Sequence, residues 1–177
     1  LCVSYLRKKI EDYFGDGKKW GIKIDYIEET EPLGTAGALK YLNVDKLFDL
    51  PLLVLNADLV TRVDFNSLLN SHNESTSMAT ICVSQYEQKI PYGVIRAEDY
   101  HLLAIDEKPI EKYFINAGIY VIDVKVLNII EALGKKFDMT DVINHVVAAG
   151  QKVSVFQIHE YWKDVGEIKH FQKAKID

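Results

Sequence analysis

The chain has 177 residues, 48 % hydrophobic and 27 % charged, with a formal net charge of -5 and a pI of about 5.6. That length allows one domain with a sizeable core and hardly a second. The acidic balance argues against a nucleic-acid backbone binder, no run approaches the roughly 18 apolar residues of a membrane span, and no signal-peptide pattern opens the chain. Cys2 and Cys82 lie in apolar runs and read as reduced core residues, which points to the cytoplasm. Leu1-Cys2-Val3 reads as the end of a strand already under way, so the chain is expected to be a piece of a longer protein.

Helical spacing of Leu6, Ile10, Tyr13 and Phe14 predicts a helix over Tyr5–Phe14, stopped by Gly15. "IKIDYI" (22–27) alternates like a strand. "EPLGTAGALKYL" (31–42) then sets two glycines, a threonine and two alanines before a short helix ending near Leu42. "PLLVLNAD" (51–58) is a continuous apolar run ending in polar residues, as in a buried parallel strand. A helix is expected from Asp64 to about His72, and a strand at "MATICVSQ" (78–85). Three antiparallel pieces follow: "YGVIRA" (92–97), "LLAIDEKP" (102–109) and "NAGIYVID" (116–123). Helices are expected near Val124–Leu133 and Thr140–Ala149, a strand at "VSVFQI" (153–158), and a helical tail over Glu167–Lys175. Strands alternating with helices predict an α/β fold, a mixed, mostly parallel sheet flanked by helices with an antiparallel section.

Ligands of open α/β sheets sit beyond the carboxyl ends of the parallel strands. "PLGTAGAL" matches neither the Walker pattern nor G-x-G-x-x-G. Its bare backbone suits a flat ring, and N–H groups opening a helix suit acceptors or anions. The same glycines also suit a plain strand-to-helix turn. Asp58, directly after "LLVLNA", is a natural Mg²⁺ ligand or else a turn acid. Asp164 in "YWKDVG", six residues after a strand, is a further candidate or else an acid near a helix start. Glu107 and Lys108 beside Pro109 offer a sugar-hydroxyl acceptor and a phosphate partner, or simply a charged turn. "NAGIY" puts an amide and a glycine on a strand, where both need a reason. The histidines show no metal-ligand spacing, and there is no G-x-S-x-G.

In order along the chain, "YLRKKIEDYFGDG", "EPLGTAGAL", "LVLNADLV", "PYGVI", "DEKP", "NAGIYVID" and "EYWKDVG" resemble the blocks of the sugar-1-phosphate nucleotidylyltransferases. "GTAGAL" and "NAGIYV" look closest to the mannose-1-phosphate guanylyltransferase-like members. The resemblance implies a Rossmann-like nucleotidyltransferase fold across 1–177 as a single domain. It implies transfer of a nucleotidyl group from a nucleoside triphosphate to a sugar 1-phosphate with Mg²⁺, by positioning and charge neutralisation. Leu33, Gly34, Thr35, Ala36 and Gly37 would line the nucleobase. Asp58 and Asp164 would hold Mg²⁺. Gly93, Glu107, Lys108, Asn116 and Gly118 would bind the sugar phosphate, and Asp58, Lys108 and Asp164 would be the catalytic set.

The family's Gly-rich phosphate loop, with its Arg and Pro-Lys, has no match here, nor has the first strand. The chain is therefore expected to be truncated at the N-terminus and inactive alone, although a homo-oligomer of the parent is compatible with it. Two other readings stand beside this one. A non-catalytic nucleotide-sugar-binding regulatory module fits the missing loop. A nucleotide-sugar glycosyltransferase fits the strand-end acid, although its usual Asp-x-Asp has Asn56 in first position.

Overall fold

The computed structural model describes residues 1–43 and 50–166. They divide into two compact units. The first comprises Leu1–Leu53, Thr76–Ala79 and Val121–Val153. The second comprises Val54–Ser75, Thr80–Tyr120 and the described residues from Ser154 onward.

The first unit opens with strand β1 (Cys2–Val3) and helix α1 (Arg7–Phe14). Leu6 sits at φ 62, so the helix starts two residues later than its apolar spacing predicts, and Gly15 ends it at φ 55. No residue of α1 is buried. Tyr13 and Phe14 instead pack edge to face, ring centroids 4.8 Å apart, beside Trp20. The predicted strand at 22–27 is mostly absent. Ile22 and Ile24 donate to the Gly17 and Asp16 carbonyls, and the Tyr26 hydroxyl donates to the Gly15 carbonyl. Those backbone groups are spent on the turn, and β2 (Ile27–Glu28) alone pairs with β1, in parallel. The short helix near Leu42 is a 3₁₀ turn over Gly37–Tyr41.

Helices α3 (Val126–Ile130) and α4 (Met139–Ala148) pack together. The α4 residues Met139, Val142, Ile143 and Val146 are buried at helical spacing. Burying side chains of this size contributes about 1.5–3 kcal/mol each. Cys2 is exposed, contrary to the core position expected for it, because β1 is only two residues long and shows its first residue to solvent.

The second unit carries most of the main sheet, whose strands β3 (Leu52–Leu55), β8 (Ile110–Ile122), β5 (Ala79–Lys89) and β9 (Val153–Gln157) are hydrogen-bonded in that order. The bonds Met78 N–H to Lys152 O and Ile158 N–H to Val83 O advance together along both chains, so β5 and β9 are parallel. Asp123 N–H to Met78 O and Ile90 N–H to Pro109 O advance oppositely, so β8 is antiparallel to β5. The sheet is therefore mixed. β3 is half-buried rather than fully buried. β4 (Leu59–Thr61) pairs antiparallel with β10 (Trp162–Asp164), a pair that alternation does not reveal at three residues each.

Helix α2 (Phe65–Ser75) begins where Asp64 Oδ1 accepts from the Asn66 and Ser67 N–H groups. The Ser67 hydroxyl bonded to Asp64 holds that carboxyl below the usual range. β6 (Gly93–Glu98) and β7 (His101–Glu107) form an antiparallel hairpin. No helix among the described residues is long and apolar enough to cross a membrane. The helical tail expected at Glu167–Lys175 lies outside the described residues.

Candidate functional site

Three groups of sequence-predicted residues take shape locally. The first is Leu33–Gly37. Gly34 has φ 81, and a Cβ there would run into the Phe137 carbonyl with Asp138 Oδ1 2.9 Å away. Gly37 is buried, and a Cβ there would lie 2.6 Å from Leu33 Cβ and 3.2 Å from Lys135 O. Neither glycine is bare for want of a neighbour. Two N–H groups of the stretch are also taken. Thr35 N–H donates to Asp138 Oδ1 at 2.8 Å, and Ala36 N–H to Phe137 O at 3.2 Å. The Thr35 hydroxyl accepts from Met139 N–H at 3.0 Å and so satisfies a donor that the start of α4 would leave open. Leu33 and Ala36 are buried, which leaves Thr35 as the exposed residue of the five and Gly34 as partly exposed.

The second group lies where β3 leaves the sheet. Asn56 N–H donates to Gly118 O at 2.9 Å. Gly118 has φ 68, and a Cβ there would meet Asn56 Nδ2 at 2.7 Å, so the Asn56 amide lies over the bare α-carbon. Asn116 folds back along its strand. Its Oδ1 accepts from Gly118 N–H at 3.0 Å and its Nδ2 donates to the Tyr120 hydroxyl at 2.5 Å. Trp162 Nε1 donates to Ala117 O at 2.9 Å. Two residues beyond Asn56, Asp58 accepts through its carbonyl from Val165 N–H at 2.8 Å, next to the β4–β10 pair in which Asp164 faces Leu59.

Asp58 and Asp164, far apart in sequence, thereby face one point. A Cβ on Gly166 would lie 2.8 Å from Asp58 Oδ2 and 3.2 Å from Asp164 Oδ1. Two carboxylates around a space that a single methyl would fill match a hard divalent cation that takes one or two carboxylates and completes its shell with water or phosphate. No group of three or more His, Cys, Asp or Glu side chains that could hold a metal exists among the described residues. Gly166, Trp162 and Tyr120 were not singled out from the sequence, and Asn56 was weighed only as the first position of an Asp-x-Asp. Gly166 could have been, as the glycine closing "YWKDVG".

The third group is on the hairpin. Glu107 faces Gly93 in the β6–β7 register, with Oε2 3.1 Å from where a Gly93 Cβ would stand. Lys108 has φ 49, a left-handed conformation that a long side chain adopts at a cost of about 1–2 kcal/mol. Its N–H donates to Tyr92 O at 3.2 Å and its Nζ lies 3.7 Å from Glu107 Oε1. Of the cysteines, Cys82 is inert, because burial pushes its thiol up to about 12.

A family model described as Nucleotidyl transferase matches residues 1–177. The catalytic subunit beta of mannose-1-phosphate guanylyltransferase from Dictyostelium discoideum is 36 % identical to the chain, over 97 % of this chain and 48 % of that protein. Mannose-1-phosphate guanyltransferase from Gibberella zeae is 34 % identical over the same shares. The chain thus spans about half the length of the curated relatives it matches. Among solved structures, HddC from Yersinia pseudotuberculosis superposes with a TM-score of 0.71 at 24 % identity, over 100 % of this chain and 77 % of that one. The same protein complexed with GMP-PN gives 0.67 at 24 % identity, over 99 % and 76 %. At those identities the likeness is one of fold.

Proposed function

The chain belongs to the nucleotidyl transferase family, with its Rossmann-like α/β fold, and from that premise we propose that the protein carrying it makes a nucleotide sugar. An oxygen of a sugar 1-phosphate attacks the α-phosphorus of a nucleoside triphosphate. The new P–O bond forms as the bond to the β-phosphate oxygen breaks, and pyrophosphate leaves. The observation that carries the reading is the convergence of the Asp58 and Asp164 carboxylates on one point beside Gly166. They would hold Mg²⁺, which when bound supplies charge neutralisation on the phosphates.

Lys108 is proposed to meet the sugar phosphate and Glu107 to accept a sugar hydroxyl. The strained Lys108 backbone supports this, since such strain persists where the surroundings impose it and clusters at ligand sites. Asn116 and Gly118 would shape the sugar-phosphate side with their internally bonded strand rather than with free polar groups. Gly93 would leave room for Glu107. Leu33–Gly37 would border the nucleobase through its exposed edge at Gly34 and Thr35. Mannose 1-phosphate and a guanine nucleotide are the first substrates to try, because both named curated relatives are mannose-1-phosphate guanylyltransferases. A cytoplasmic setting is consistent with the cysteines, which are free.

The test is pyrophosphate release by the complete protein with Mg²⁺, across sugar 1-phosphates and nucleoside triphosphates. Release that requires both substrates and is lost on chelation supports the proposal. Tight binding of a nucleotide sugar with no turnover of any pair would assign the protein to the regulatory class instead.

A further inference from the structure

Gly166 stands between the two carboxylates, and its missing side chain has no backbone explanation. Its φ lies outside the left-handed region that favours glycine. Its N–H donates to Asp164 Oδ1 at 2.8 Å, a bond any residue but proline could make. The three atoms nearest to a Cβ built there are Asp58 Oδ2 at 2.8 Å, Asp164 Oδ1 at 3.2 Å and Asp58 Cγ at 3.7 Å, all from the two carboxylates. A methyl at Gly166 would therefore enter the space that both acids face. At Gly34 and Gly37 the same methyl would strike backbone or the Cβ of a buried leucine.

We propose that Gly166 is a positioning residue for the divalent cation: its bare α-carbon keeps open the space into which Asp58 and Asp164 both point. The inference rests on the reading of those two acids as a metal pair. The atom struck by the methyl, Asp58 Oδ2, is the far end of a rotatable side chain. The chain can accept alanine by turning that carboxylate aside, which spares the fold and separates the pair. Gly166→Ala is thus a substitution that leaves the protein folded and costs it the metal.

The experiment uses the complete protein and Mn²⁺ alone, with bound metal read from the loss of the free-ion electron paramagnetic resonance signal. Wild type should bind Mn²⁺ and Asp58→Asn should lose it. Gly166→Ala should bind at least about tenfold more weakly, a shift near 1.4 kcal/mol, while its metal-free melting temperature stays within about 2 °C of wild type, as for substitutions away from the core. If wild type binds no Mn²⁺, or Asp58→Asn binds it as well as wild type, the metal pair itself fails and the inference goes with it. If Asp58→Asn loses Mn²⁺ and Gly166→Ala keeps wild-type affinity, the pair stands and the role of Gly166 is overturned. Should Gly166→Ala melt much lower, Asp58→Ala combined with it decides the matter. Recovery to the Asp58→Ala melting temperature locates the collision at the carboxylate, as proposed. No recovery makes Gly166 a structural glycine and overturns the proposal.

Discussion

Leu33–Gly37 and Trp162–Gly166 both carry glycine, Gly34 and Gly37 in the first and Gly166 in the second, and these glycines meet very different neighbours. Around Gly34 and Gly37 the space is filled by the protein itself: the Phe137 and Lys135 carbonyls, Asp138 and Leu33 Cβ. Around Gly166 it is bounded by the oxygens of two acids. In the first stretch the backbone is bare so that one segment can lie against another. In the second, two exposed carboxylates face the place a side chain would take. A glycine points to a ligand only after the protein's own atoms have been shown not to fill the place of the side chain.

The largest effect expected from this contrast is at Gly34. Gly34→Ala adds a Cβ at φ 81 and drives it into the Phe137 carbonyl. Strain plus collision should cost about 3 kcal/mol or more of unfolding free energy in a urea titration. Gly37→Ala should cost about 1–3 kcal/mol, because Leu33 Cβ cannot rotate away from a new methyl 2.6 Å off. A graded response, harmless for alanine and severe for valine, is what a base resting on Gly37 would produce, and the packing argues against it. Wild-type stability in either alanine variant would break the comparison.

Next in size is Asp164→Asn. The residue ends a strand of three residues at the surface and accepts one hydrogen bond, from Gly166 N–H, which an amide oxygen can also accept. Its unfolding free energy should stay within about 0.5 kcal/mol of wild type. Its kcat in the complete protein should fall about 100-fold or more, as for loss of charge-stabilising groups. A lower melting temperature with normal turnover would move Asp164 from the site to the scaffold.

Much of this was legible in the sequence, and the limits have physical causes. The helix expected over Thr140–Ala149 is α4, whose buried residues are helically spaced, and the strands expected at 78–85, 92–97, 102–109 and 153–158 are β5, β6, β7 and β9. The run at 22–27 alternates as a strand does, yet its hydrogen bonds go to a turn set by glycines in the left-handed region at Gly15, Gly17 and Gly21. Alternation describes faces and is blind to where N–H groups find their partners. β4 and β10 escaped because three residues are too few to show a period. Asp58 and Asp164 were found as strand-end acids. That they meet depends on the β4–β10 pairing, which is long-range information. Thr35 was expected to line the nucleobase; that its hydroxyl also serves the start of α4, a partner about a hundred residues away, is something no local pattern reveals.

Lys108 sharpens the comparison from another side, because there a residue is kept where its backbone is unfavourable. At φ 49 asparagine is more comfortable than lysine. Lys108→Asn should keep or raise the unfolding free energy, by up to about 1 kcal/mol. It should also raise the KM for the sugar phosphate about tenfold while leaving the nucleotide KM nearly constant, as removal of one charged hydrogen bond would. Equal changes in both KM values would assign Lys108 to the nucleotide, and lower stability would assign it to the fold.

The smallest effect belongs to Tyr100, which tests whether backbone strain alone identifies a site. Glu98 pairs with His101, so Asp99 and Tyr100 form a two-residue hairpin turn with φ 46 and 66. Positive φ at both central positions is the turn that matches strand twist, and glycine is the usual second residue. Tyr100 is fully exposed, so its ring offsets none of the strain through burial. Tyr100→Gly relieves about 1–2 kcal/mol of left-handed strain. The freer unfolded chain returns about 0.4–1 kcal/mol of that. The net gain should be about 0.5–1 kcal/mol in urea, with kcat and both KM values unchanged. A gain of that size with no kinetic change would show that positive φ occurs here without function, and that Lys108 is distinguished by its charge beside Glu107 rather than by its strain. A loss of activity in Tyr100→Gly would instead bring the hairpin tip into the site.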